Sequence, residues 1–108
     1  MVIKLKIKEG ILKDDNVELE TLEVQLNNTT LLILEGYGAF AMCGALDVSV
    51  YNSLKMLPRR VLCMKAMGVK TLEELYEAKV YEVSKALEDL GITEGTKIKD
   101  AFEILSKK

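Results

Sequence analysis

The sequence predicts an α+β domain: a mostly antiparallel sheet of four or five strands with helices packed on it. Three observations predict it. Apolar residues recur with period two through the first half of the chain, the signature of half-buried strands. They recur at helical spacing behind capping residues through the last third. The two patterns are segregated, and no repeat, low-complexity stretch or linker divides them. The 108 residues are therefore read as one domain, 1–108, and 49% hydrophobic content suffices for one self-contained core.

Residues 2–8 place Ile3, Leu5 and Ile7 on one face and Lys4, Lys6 and Lys8 on the other, a strand with its lysines in solvent. Glu9-Gly10 and Lys13-Asp14-Asp15-Asn16 carry turn chemistry. Residues 17–26 form a second strand whose phase slips, since Val17 and Leu19 share one parity and Leu22, Val24 and Leu26 the other. Either a bulge near Glu20-Thr21 resets the phase or two short strands meet there. Asn27-Asn28 reads as a hairpin turn. Leu31–Leu34 and Ala39–Met42 follow as buried strands, separated by Gly36-Tyr37-Gly38.

Residues 45–57 fit a helix striped by Leu46, Val50, Leu54 and Leu57, and the lone proline, Pro58, punctuates its end. Val61–Met67 is apolar on both parities except for Lys65, so it is read as a central strand covered on both faces. Thr71-Leu-Glu-Glu74 is a capping box opening the first of three further helices. Val83, Ala86, Leu87 and Leu90 stripe the second, which Gly91 terminates. Thr96 caps the third, striped by Ile98, Ala101, Phe102 and Leu105.

Composition excludes several functions. Formal net charge is −2, so there is no general attraction to phosphate backbones and nucleic acid is not an expected partner. No apolar run approaches the roughly 18 residues of a membrane span, and the alternating N-terminus lacks a signal peptide's apolar core. A cytoplasmic protein without a membrane partner is expected. Histidine is absent, which removes imidazole-based triads, general bases and zinc ligands. Cys43 and Cys63 are too few for a disulfide framework and, without histidine, cannot complete a zinc site in one chain unless carboxylates join them. The oxygen-rich run Asp14–Glu20 lacks the spacing of an EF-hand loop and reads as a solvated turn. No metal is expected, and no motif identifies a cofactor.

The candidate site is the segment Gly36–Asp47, read as a strand running through a small-residue turn into a helix. Gly36, Gly38 and Gly44 leave room for close backbone approach, as anion-binding turns require, although tight turns alone also explain them. The pattern is neither a P-loop nor a dinucleotide fingerprint. Cys43 has two readings: an activated thiolate at the positive end of the helix, or a small residue packed where strand and helix meet. Asp47 is read as a capping residue in the helix's first turn, or as a ligand or metal carboxylate at the same mouth. Lys65 either snorkels from a strand end, or pairs with an acid such as Asp47, or faces a bound anion.

Met42-Cys-Gly-Ala-Leu-Asp-Val48, Lys65-Ala-Met-Gly-Val-Lys-Thr71 and Glu88-Asp-Leu-Gly-Ile92 occur here in that order. In these segments the chain resembles the YunC-like family of bacterial and archaeal domains of unknown function. The resemblance runs from about Gly36 to Phe102. It implies a single compact α+β domain and carries no catalytic assignment.

The expected function is a ligand-binding or assembly module, with Gly36, Gly38, Gly44, Asp47 and Lys65 around a small anionic ligand. N-terminal strands at a sheet edge are expected to pair between subunits, giving a homo-oligomer. The alternative is a thiol-dependent enzyme or redox sensor using Cys43, with Asp47 and Lys65 as polar partners.

Overall fold

The computed structural model describes residues 6–26 and 29–108. Six strands in these residues form one sheet in sequence order: β1 (Lys6–Asp14), β2 (Val17–Leu26), β3 (Thr29–Gly36), β4 (Ala39–Met42), β5 (Leu62–Lys65) and β6 (Glu82–Val83). β1 to β4 form an antiparallel meander, β4 and β5 run parallel, and β6 returns antiparallel to β5. The helices are α1 (Leu72–Glu77), α2 (Lys85–Glu88) and α3 (Ile98–Ser106), all C-terminal. The α+β class is as expected, with six strands rather than four or five.

Register assigns the faces, because directly opposed residues point to the same side. Leu19, Leu32, Leu34, Ala41 and Met64 point inward, each at 1% exposure or less. Leu75 of α1, Leu87 of α2 and Phe102 of α3 close over them, fully buried in the same cluster. Burying so many aliphatic and aromatic side chains, at roughly 1.5–3 kcal/mol each, is the main driving force for this fold.

Several elements differ from expectation. β1 runs on through Glu9 and Gly10 to Asp14, so the Glu9-Gly10 pair lies inside a strand rather than in a turn. β2 carries no bulge: its register is unbroken to β1 over Val17–Gln25 and to β3 over Glu20–Leu26. The phase slip is real but has another cause. Val17 and Leu19 are buried inward at one end of β2, whereas Leu22 and Val24 point to the outer face at the other. The helix expected over 45–57 does not form. Two short 3₁₀ turns, Val48–Asn52 and Leu57–Arg59, stand there instead, leaving Val50 and Leu54 exposed at 49% and 91%. A helical stripe stabilises a helix only if one face finds a wall, and these residues find none.

Elsewhere the reading holds. β5 is covered on both faces, with Cys63 and Met64 each at 0% exposure. Thr71 Oγ1 accepts from Glu74 N at 3.1 Å, and Glu74 Oε1 accepts from Lys70 N at 2.7 Å. α3 begins one residue later than expected, with Lys97 at its N-cap, while Thr96 Oγ1 accepts from Thr93 N in the preceding turn. Val83 belongs to β6 rather than to α2, and Gly91 at φ +91° ends that helical segment. The readings on Ile3, Lys4, Leu5 and Asn27-Asn28 fall outside the described residues. Of the same strand, Ile7 is 57% exposed on the outer face rather than half-buried. Lys8 lies on the inner face opposite Glu23, because the helices do not reach over this end of β1.

Candidate functional site

The segment read as one turn is two corners at opposite ends of β4. Gly36 and Gly38 flank Tyr37 in the β3–β4 hairpin, and Gly44 follows the far end of the four-residue strand. At about 3.3 Å per residue, the two corners lie more than 10 Å apart.

At the hairpin, Tyr37 (φ +55°) and Gly38 (φ +78°) both take the left-handed conformation of a two-residue turn whose twist matches the sheet. A tyrosine there is strained, and its hydroxyl supplies a reason. It accepts from Glu18 N at 2.9 Å and donates to Asn16 O at 3.3 Å, tying this hairpin to the β1–β2 turn. Gly36 is required by closeness: a Cβ there would stand 2.6 Å from Leu19 Cδ2. Around the hairpin opens a groove of about 630 Å³, lined by Ile11, Glu18, Glu20, Glu35 and Phe40 among others. Glu20 and Glu35 are direct cross-strand partners, so the groove is acidic and favours cations over anions.

At the second corner, Gly44 lies under Met67, whose Sδ would be 2.9 Å from an added Cβ. Cys43 is 7% exposed, and its nearest polar partner is Thr30 O at 3.9 Å from Sγ. A 3₁₀ turn, Val48–Asn52, follows this corner in place of the expected α-helix. Asp47 does cap, though at the N-cap rather than as the third helical residue: Oδ1 accepts from Ser49 N at 3.1 Å and from Ser49 Oγ.

Lys65 ends β5 with its side chain 14% exposed. Its Nζ donates to Leu46 O at 3.0 Å, pairs with Glu82 Oε1 at 3.3 Å and lies 5.8 Å from the centroid of the Tyr81 ring. Lys65 therefore meets the 43–47 corner, as the sequence suggested, but through a backbone carbonyl and with Glu82 rather than Asp47 as its acid. Its charge and one donor are committed within the chain. The structure brings Lys65 to the carbonyl of Leu46, between Gly44 and Asp47 in the chain, and places Gly36 and Gly38 at the other end of β4.

The largest feature that sequence reasoning missed is the outer face of β1, β2 and β3. Ile7 and Ile11 on β1 are 57% and 65% exposed. Beside them on the same face, Leu22 and Val24 of β2 and Leu31 and Ile33 of β3 are only partly buried. A second groove of about 630 Å³ crosses this surface, lined partly by Ile11, Leu22, Ile33 and the carboxylates Glu9 and Glu35. β1 is also an edge strand among the described residues, so the backbone groups on its far side have no partner strand. The phase slip in β2 was the sequence signal for this surface.

No helix among the described residues is long and apolar enough to cross a membrane. Residues 42–105 match the model of a domain of unknown function, DUF1805. The chain is 36% identical over 79 residues to the uncharacterized protein YunC of Bacillus subtilis (strain 168), covering 73% of this chain and 77% of that protein. The crystal structure of a protein of unknown function, TA1206, from Thermoplasma acidophilum superposes with a TM-score of 0.81. That match covers 97% of this chain and 98% of the other at 25% identity.

Proposed function

We propose that this chain, which belongs to the DUF1805 family that includes YunC, is an assembly module whose outer β1–β3 face packs against a second copy. One observation carries the reading: on one face of three adjacent strands, Ile7 and Ile11 are exposed and Leu22, Val24 and Ile33 beside them are only partly covered, where a buried face would be expected. Two further points favour a copy of the same chain as the occupant. The free edge of β1 borders the apolar surface and offers a row of backbone donors and acceptors that a strand of a second copy can pair in place of water. The face is also large enough for a weak to moderate interface. Three strands about 4.8 Å apart and some eight residues long give a flat footprint of roughly 370 Å² per copy. Side-chain relief raises that toward the ~500 Å² per partner of the smaller specific interfaces.

By contrast, the corner at Gly44, Asp47 and Lys65 is internally satisfied, and its role here is to hold the chain together. The test is sedimentation equilibrium on the intact chain beside the double variant Ile7→Lys/Ile11→Lys. Both positions are exposed in the monomer, so the substitutions leave its core intact. The expected result is an oligomer for the parent chain and a folded monomer for the variant. A parent chain that stays monomeric at ~100 µM would refute the proposal.

A further inference from the structure

Between β4 and β5 the chain leaves the sheet and crosses its outer face as a strap, residues 44–61. The strap adds no strand: backbone bonds such as Val50 N to Asp47 O and Leu57 N to Ser53 O stay within it. What it covers is a second, smaller cluster. Leu46 (8% exposed) and Val48 (0%) close over Cys63 (0%), and Tyr51 packs edge-on to Phe40 at 6.1 Å. The sheet separates this cluster from the inner core, so the two share no packing across it.

Three polar contacts pin the strap. Lys65 Nζ holds Leu46 O at 3.0 Å at one end. Asn52 Oδ1 accepts from Lys85 N at 2.7 Å in the middle. Arg60 Nη2 reaches Asp89 Oδ2 at 3.3 Å at the other end. A segment with so few buried apolar contacts and only local backbone bonds belongs to the low end of a molecule's local stabilities.

We propose that the strap is a lid: it opens as a unit while the sheet and inner core stay folded, uncovering Phe40, Met42 and Cys63. The uncovered strip adjoins the bare aliphatic surface, because Met42 is the cross-strand partner of Ile33. Opening would lengthen that surface by one strand pair, and Lys65 is the latch. The inference does not depend on self-assembly, since it concerns the monomer alone.

Cys63 is a built-in reporter. Closed, its thiol is fully covered, donates no hydrogen bond to solvent, and is pushed by burial up to about 11, so it is inert to alkylation near pH 8. Alkylation by iodoacetamide, quantified at Cys63 by mass spectrometry, reads opening of the strap. Amide exchange in β3 and α3 of the same samples reads global unfolding. Ile7→Lys/Ile11→Lys serves as background, so that any interface leaves the outer face accessible. The expected result is Cys63 labelling well ahead of exchange in β3 and α3. Lys65→Met is expected to speed that labelling about ten-fold, with β3 and α3 unchanged. Asn52 is exposed, so Asn52→Ala supplies the same test should Lys65→Met fold poorly, with a smaller expected gain of a few-fold. Labelling of Cys63 that keeps pace with α3 exchange in the parent and in both variants would overturn the proposal.

Discussion

One sheet is finished in two ways on its two faces. The inner face is sealed by α1, α2 and α3 around Phe102 and Leu75, with cross-chain polar ties such as Tyr76 Oη to Asp14 Oδ2 at 2.8 Å. The outer face carries a short strap over β4 and β5 and nothing else within the described residues over β1–β3. The difference shows that the sheet's two faces carry different duties: inner residues hold the fold, and outer residues are available for contact or movement. β2 marks the change along a single strand, burying Val17 and Leu19 inward and turning Leu22 and Val24 outward.

Equivalent truncations on the two faces test this contrast most sharply. Leu75→Ala, in the inner core, is expected to remove about 2–5 kcal/mol from the unfolding free energy in urea. Leu46→Ala, also buried but in the strap, is expected to remove only about 1–2 kcal/mol, because the strap can open before the sheet yields. Equal losses would break the distinction between the faces.

The pH dependence sharpens it further. Burial raises the Cys63 thiol from 9.0 to about 11, partly offset by its hydrogen bond with Ser84. In the folded chain it stays neutral where the unfolded thiol already ionises. Its contribution is therefore intact below pH 9 and is lost as pH rises toward 11. Unfolding curves of Cys63→Ala beside the parent should show a flatter alkaline decline for the variant over that window. Parallel declines would place the thiol in water.

Smaller effects follow on each face. Tyr76→Phe removes the bond to Asp14 and should lower stability by about 1 kcal/mol; a neutral result would mean that water replaces that bond without loss. On the outer face, Glu35→Lys turns the opposed Glu20–Glu35 carboxylates into an ion pair and should raise thermal stability by about 0.5 kcal/mol. A gain that persists in high salt would contradict its electrostatic origin.

Much of this fold is legible in the residues. Two-sided apolarity in β5, the Thr71–Glu74 cap and the stripe of α3 each state a local preference that the final packing respects. The alternation in β1, by contrast, names two faces but not which is covered: Ile7 is 57% exposed, and Lys8 shares the face of the inward Leu32. The candidate site was legible only in part. Lys65 stands out as a charge in an apolar run, and it does meet the 43–47 corner, but its acid is Glu82, brought alongside by β6. Gly36 and Gly38 are near Gly44 in sequence yet separated by the length of β4. The 45–57 stripe has helical spacing, and no helix results, because Val50 and Leu54 have no surface to pack on.

The sequence by itself determined the class, the order of strands β1–β5 and much of the inner core, since period, caps and turn residues are properties of neighbours along the chain. Only the tertiary structure decided which wall each apolar stripe meets, which acid answers Lys65, and which half of the sheet stays uncovered. Those outcomes depend on pairing between residues distant in sequence, and a parity pattern such as that of β2 names two faces without saying what covers either.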